Sequence, residues 1–168
     1  MRIDPEGRFE AAIGAYAHGD FELAASYFAE DCHYAIYVPT EPGPFGGVIN
    51  GRAAIRERFE RVAEEFDAIK YEAHILAARE NRVRAQIFYV FRHRETGEKI
   101  DGVGRIEAVF EAGKIIDWRA YHDADRIQAF VRLCRSKRSA GAFDEINRIC
   151  ESKGRSASGE AGAIDATR

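Results

Sequence analysis

Apolar residues recur along this chain with two different periods, and the switch between them organises it. Phe9, Ala12, Ile13 and Tyr16 fall at i, i+3, i+4 and i+7, the spacing of one helix face. Asp4-Pro5 offers a capping acceptor followed by a proline in the first turn, and His18-Gly19 ends the segment. Asp20 caps a second, short helix with Leu23, Ala24, Tyr27 and Phe28 on its buried face. Residues 31–38 read as a strand. Pro39, Pro42 and Pro44, with the glycines up to Gly47, predict a loop that is neither helix nor central strand. A third helix runs from Arg52 to Phe66, with Ile55, Phe59, Val62 and Phe66 on one face.

From about residue 70 the period drops to two. Strands are expected at 70–79, 82–94, 99–111 and 114–123. Glu80-Asn81, Glu95-Thr96-Gly97-Glu98 and Ala112-Gly113 separate them as hairpin turns. Helices first and successive hairpins after predict an α+β fold with a mainly antiparallel sheet. Past Asp123 the helical period returns twice, in Ile127, Phe130, Val131 and Cys134 and again in Phe143, Ile146, Ile149 and Cys150. Beyond Lys153 the chain is Gly, Ser, Ala and charge, the composition of a flexible tail. The expected organisation is a main domain over 1–135, a helical extension over 136–152 and a tail over 153–168.

Composition narrows the function classes. A formal net charge of -3 gives no basic footprint for nucleic acid. No apolar run approaches the roughly 20 residues of a membrane helix. Residues 1–7 lack the apolar stretch of a secretory signal. Cys32, Cys134 and Cys150 are widely spaced without a CxxC pair, so neither a metal site nor a disulfide framework is suggested. The expectation is a cytoplasmic protein without metal or cofactor. The basic cluster Arg132, Arg135, Lys137 and Arg138 reads as a solvated helix end.

Several short motifs occur in a telling order: Gly19-Asp20, Phe28-Ala-Glu-Asp31, Gly51-Arg-Ala-Ala-Ile55, and Gly113-Lys-Ile with Trp118-Arg119 before His122-Asp123. Over residues 5–123 this order resembles the SnoaL-like branch of the nuclear-transport-factor-2-like superfamily. The resemblance implies a curved, mainly antiparallel sheet wrapped round N-terminal helices, forming a conical pocket. It also implies a homodimer through the convex sheet face. The superfamily includes ketosteroid isomerases, limonene epoxide hydrolases and SnoaL-type polyketide cyclases, and their catalytic groups do not carry over. The isomerase base carboxylate falls on Ile36, the oxyanion-hole tyrosine on Ala12 and the oxyanion-hole acid on Ile106. Hydrocarbon there can neither abstract a proton nor stabilise an enolate. The hydrolase Arg-x-Asp falls on Ile87 and Tyr89, and its further aspartate on Ala120. Of its water-site pair, Tyr34 matches the tyrosine while Ile36 replaces the asparagine. The cyclase acid/base aspartate has no clear counterpart; Asp101 and Asp117 are the nearest carboxylates.

With Ile36 and Ala120 inward, strand alternation gives the pocket lining. It comprises Tyr34 and Ile36; Ala85, Ile87, Tyr89, Phe91 and His93; Gly104, Ile106, Ala108 and Phe110; and Ile116, Trp118, Ala120 and His122. Such a wall suits a small apolar, ring-bearing molecule, held by Ile36, Ile87, Phe91, Ile106, Trp118 and Ala120. Its polar groups are few. His122 with Tyr34 and Tyr89 could do acid/base work without a carboxylate, in an isomerase, cyclase or dehydratase. The alternative is a non-catalytic ligand-binding or dimeric interaction module. Phe88, Val90, Val109 and Tyr121 fall on the opposite parity, the expected centre of a homodimer interface. The helix after Asp123 either folds over the pocket mouth as a lid or packs elsewhere.

Overall fold

Side-chain caps account for the first two helix starts. In the computed structural model, which describes residues 4–38 and 44–157, the Asp4 carboxylate accepts from the Gly7 N–H at 3.1 Å. It thereby caps α1 (Pro5–Ala17). Asp20 accepts from Leu23 N–H at 3.0 Å and caps α2 (Phe21–Ser26). The expected buried face of α2 is corrected in two respects: Leu23 is 46% exposed, and Phe28 already belongs to the next strand. That strand, β1 (Phe28–Ile36), starts three residues before the expected position. Within the stretch read as loop, Gly47–Asn50 forms a short strand, β2, paired antiparallel with β1. The expected loop residues 39–43 lie outside the described residues. Helix α3 (Arg52–Glu65) ends one residue early because Phe66 opens β3 (Phe66–Arg79) without an intervening turn.

The hairpins β3, β4 (Arg82–His93), β5 (Lys99–Glu111) and β6 (Lys114–Tyr121) follow in sequence. The six strands lie in the order β2-β1-β6-β5-β4-β3. Every neighbouring pair is antiparallel except β1 with β6, which is parallel. The fold is α+β, with the N-terminal helices set against a curved sheet. Register shifts in β1–β6, β3–β4 and β5–β6 supply bends of the kind that bulges produce. The shift in β5–β6 corrects one residue of the expected lining. Phe110 pairs with Ile115 and Val109 with Asp117, so Ile116 is the extra residue and Ile115, fully buried, takes the inward place.

Two buried clusters form the core. One joins Phe9, Ala12 and Ile13 of α1 to Ile55 and Phe59 of α3 and to Ile87, Ile106 and Trp118 of the sheet. The other joins Val62 and Phe66 to Tyr89, Phe91 and Ile100, and to Ile127, Phe130, Val131 and Cys134. These last residues begin α4 (Ala124–Ala157), capped by the Asp123 carboxylate on the Arg126 N–H at 3.1 Å.

The chain divides into two compact units, Met1–Cys134 and Arg135–Arg168. The two expected C-terminal helices are one, because α4 runs on to Ala157. Nothing between Arg135 and Gly141 forbids helical dihedrals, and a single glycine costs only about 1 kcal/mol there. Phe143, Ile146 and Ile149 are exposed on the second unit. Of the expected tail, residues 158–168 lie outside the described residues. Among the described residues, no helix is long and apolar enough to cross a membrane.

Candidate functional site

Trp118 anchors the site. Its ring stacks on Tyr34 at 5.8 Å and 4°, and on Phe9 at 5.5 Å and 18°. The register Tyr34 opposite Trp118, in the parallel β1–β6 pair, sets the first stack. The second comes from α1 lying on the sheet. Around Trp118 opens a cavity of about 80 Å³. Its wall includes Ala12, Ile13 and Tyr16 from α1, Tyr34 and Ile36 from β1, and Arg58, Phe59 and Val62 from α3. Tyr71, Tyr89, Phe91, Ile100 and His122 close it on the sheet side, and Ile127 and Phe130 of α4 complete it.

Six of the nine residues assigned from the sequence therefore meet in one place: Tyr34, Ile36, Tyr89, Phe91, Trp118 and His122. Ile87, Ile106 and Ala120 do not line the cavity. They face the same side but are packed into the core with Phe9, Cys32 and Ala108. Strand parity reports the face of a sheet and not the depth to which helices fill it. His93, also placed inward by parity, is 2% exposed and lies 2.8 Å from the Thr96 hydroxyl within its own turn, away from the cavity.

Sequence reasoning missed Tyr16, Arg58, Phe59 and Tyr71 as lining. Tyr16 and Phe59 sit on the apolar stripes of α1 and α3, so depth again was the missing information. Arg58 is the instructive case. It lies three residues after Ile55 and four before Val62, which places it on the buried face of α3. Tyr71 could have been found as the cross-strand partner of Tyr89.

Two glycines make room for the polar pair. A Cβ on Gly102 would collide with the Tyr89 ring and hydroxyl, and one on Gly104 would collide with the His122 imidazole, 2.7 Å from Nδ1. The two rings meet edge to face at 5.5 Å. His122 is half-buried, and its Nδ1 is enclosed without a hydrogen-bond partner. The Trp118 indole nitrogen is in the same state.

Burial governs the ionisation of the wall. It pushes the Tyr16, Tyr34, Tyr71 and Tyr89 phenols up, so all four stay protonated and can donate. Loss of solvation pushes His122 down to about 4, so its imidazole is neutral at pH 7. Among the described residues no carboxylate lines the cavity. Asp101 pairs with Arg126 at 2.6 Å, and Asp117 pairs with His33 at 2.8 Å and Arg119 at 2.9 Å. Neither serves as an acid/base inside the cavity. No group of three metal-ligating side chains gathers among the described residues.

A helix-backed curved sheet that encloses an aromatic cavity is the architecture of the cone-fold proteins. Residues 9–118 match the family model of the SnoaL-like domain, and the chain belongs to that family. No curated protein matches the sequence significantly. Among solved structures, a provisionally named isomerase from Rhodopseudomonas palustris superimposes with a TM-score of 0.67 at 20% identity. That match covers 81% of this chain and 99% of the other. A provisionally named polyketide cyclase from Xanthomonas campestris pv. campestris gives 0.65 at 20% identity, covering 76% and 96%. A protein with a ketosteroid isomerase-like fold from Catenulispora acidiphila, in complex with trimethylamine, gives 0.62 at 13% identity, covering 74% and 92%. At these identities the likeness establishes the fold alone.

Proposed function

We propose that the cavity binds a small, largely apolar molecule with at most one ring, and that His122 transfers a proton on it while Tyr34 and Tyr89 donate hydrogen bonds. One observation carries this reading: a neutral imidazole and protonated phenols share an aromatic cavity that holds no other described base. A conjugate acid near 4 makes His122 about as basic as an ordinary carboxylate. It is therefore proton-free at neutral pH and strong enough for enolisation chemistry, where carboxylates serve as bases elsewhere. The phenols can hold the oxygen on which charge develops. Double-bond isomerisation, aldol cyclisation and β-elimination of water next to a carbonyl all begin with such a step. The size limit follows from the volume: about 80 Å³ is free, whereas a rigid cavity of about 150 Å³ takes benzene.

Cyclohexanone tests both halves. Trp118 is the single tryptophan of the chain and lies in the wall, so its fluorescence reports occupancy. The expected result is a saturable change, with exchange of the ring's α-hydrogens into D2O that His122→Gln abolishes. Binding without exchange favours the second reading, a non-catalytic binding module, which the lack of a described carboxylate in the wall supports. The absence of a saturable change with cyclohexanone, cyclohexanol, phenol and the smaller cyclobutanone and cyclopropanecarboxylate alike refutes the reading as a whole.

The same reading includes a homodimer through the outer sheet face. Phe88 is 37% exposed and Tyr121 39%, with Val103 also exposed and Val90 and Val109 half-buried nearby. Phe88 lies opposite Val103 in the β4–β5 register, an exposed apolar pair of the kind found at interaction sites. The free thiols Cys32, Cys134 and Cys150 support a reducing compartment, the cytoplasm.

A further inference from the structure

Arg58 is a charged group in a wall otherwise built of hydrocarbon, phenols and a neutral imidazole. Removing a guanidinium from water is costly unless its charge is met. Among the described residues it is met only in part. Nη1 donates to the carbonyl oxygens of Gly46 at 2.9 Å and Phe45 at 3.4 Å. Nε and Nη2 donate to no described residue, and no described carboxylate lies within ion-pair distance. The neighbourhood compounds the deficit. Burial works against the Arg58 charge, and Arg61, one turn along α3, is close enough to add to that effect. The Tyr34 phenol lies near enough to favour the charged form, yet it stays protonated. Guanidinium nitrogens with no described partner, on a half-buried side chain beside a protonated phenol, are a receptor for an oxyanion.

We propose that the ligand of this cavity is an acid: a small apolar skeleton carrying one carboxylate, which Arg58 and the Tyr34 hydroxyl hold while the aromatic wall takes the hydrocarbon. This rests on the ligand-binding reading above and adds the charge of the ligand. Fixing Nη1 to two backbone carbonyls orients the guanidinium plane, so its other nitrogens need no reordering to pair with a carboxylate. A lysine would retain the charge without the fork.

The test compares acids with their neutral isosteres. Cyclopropanecarboxylate and cyclohexanecarboxylate, each beside its carboxamide, are titrated into the full chain at pH 7 while Trp118 fluorescence is followed. The two ring sizes bracket the free volume. The expected result is a preference of at least about tenfold, roughly 1.4 kcal/mol, for carboxylate over carboxamide. Arg58→Gln should remove that preference by weakening the carboxylate far more than the carboxamide, and Arg58→Lys should restore part of it. Equal binding of both forms by the wild-type protein overturns the charge assignment but leaves the ligand-binding reading intact. Arg58 then serves only to hold the Phe45 and Gly46 carbonyls. Failure of all four compounds, together with cyclohexanone, overturns the ligand-binding reading and this inference with it. The wild-type comparison decides even where Arg58→Gln proves unstable.

Discussion

At the scale of the residue, His122 stands out because its burial is complete at one nitrogen and unrelieved by any partner. In the unfolded chain an imidazole binds its proton near pH 6.5, whereas in the fold His122 does so only near 4. Between those values the unfolded state holds more protons, so stability falls as the pH drops through that window. Allowing for partial exposure of the ring, the loss is roughly 1–2 kcal/mol. Urea unfolding at pH 7 and pH 4.5 should show the wild-type protein losing that much more than His122→Asn. Equal losses would mean that His122 is protonated normally and that its environment is wet. Cys32 shows the same physics with the opposite sign. Burial, then Asp117 and Asp31, push its thiol up to about 12, so it packs as a small apolar side chain.

At the scale of the element, the β5–β6 hairpin is closed by a poor turn residue. Ala112 and Gly113 both have positive φ, 46° and 77°, as a tight two-residue hairpin turn demands. Gly113 adopts this freely, but Ala112 carries a Cβ into the left-handed region. Ala112→Gly should therefore raise stability by about 0.5–1 kcal/mol in denaturant unfolding with an unchanged m-value. A loss of stability would show that the turn is held by contacts its φ values do not reveal. The start of α4 is a second case. Ile127 and Phe130 are part of the cavity wall, so this helix closes the site from one side. The periodicity of residues 127–134 established an amphipathic helix, but its partner was unknown until the structure brought it against Phe66, Tyr89 and Phe91.

At the scale of the whole molecule, the outer sheet face poses the main question. Tyr37 and Tyr121 stack at 4.7 Å with both rings exposed, and Phe88, Leu76 and Val103 are exposed as well. A two-fold pairing of this face would cover them, and residues near the axis would meet their own copies. Sedimentation velocity at micromolar concentration should give a dimer. Val90→Glu should weaken the association at least about tenfold by placing like charges in an apolar interface. A wild-type monomer, or a mass unaffected by the substitution, removes the dimer from the picture.

The amino-acid order alone determined what depends on neighbours in the chain. The caps at Asp4 and Asp20, the tight turn at Ala112-Gly113 and the alternation along β4 and β5 are local, and each appears within a few residues of its expected place. Parity likewise placed Tyr34, Tyr89, Trp118 and His122 on one face, because side-chain direction along a strand is a local property. What required tertiary structure was whatever depends on distance through space. The four-residue strand β2 exists only because β1 pairs with it. Ile115 and Ile116 exchange faces through a register shift that no alternation pattern announces. Ile87, Ile106 and Ala120 share the inward face with Trp118, yet lie in packed core instead of at the cavity wall. Arg58 shares the apolar face of α3 by its spacing from Ile55 and Val62, but how deep it sits is fixed only when the helix is docked. Only then does its guanidinium stand in the wall beside Tyr34, because burial is decided by what packs over a residue and not by the residue itself.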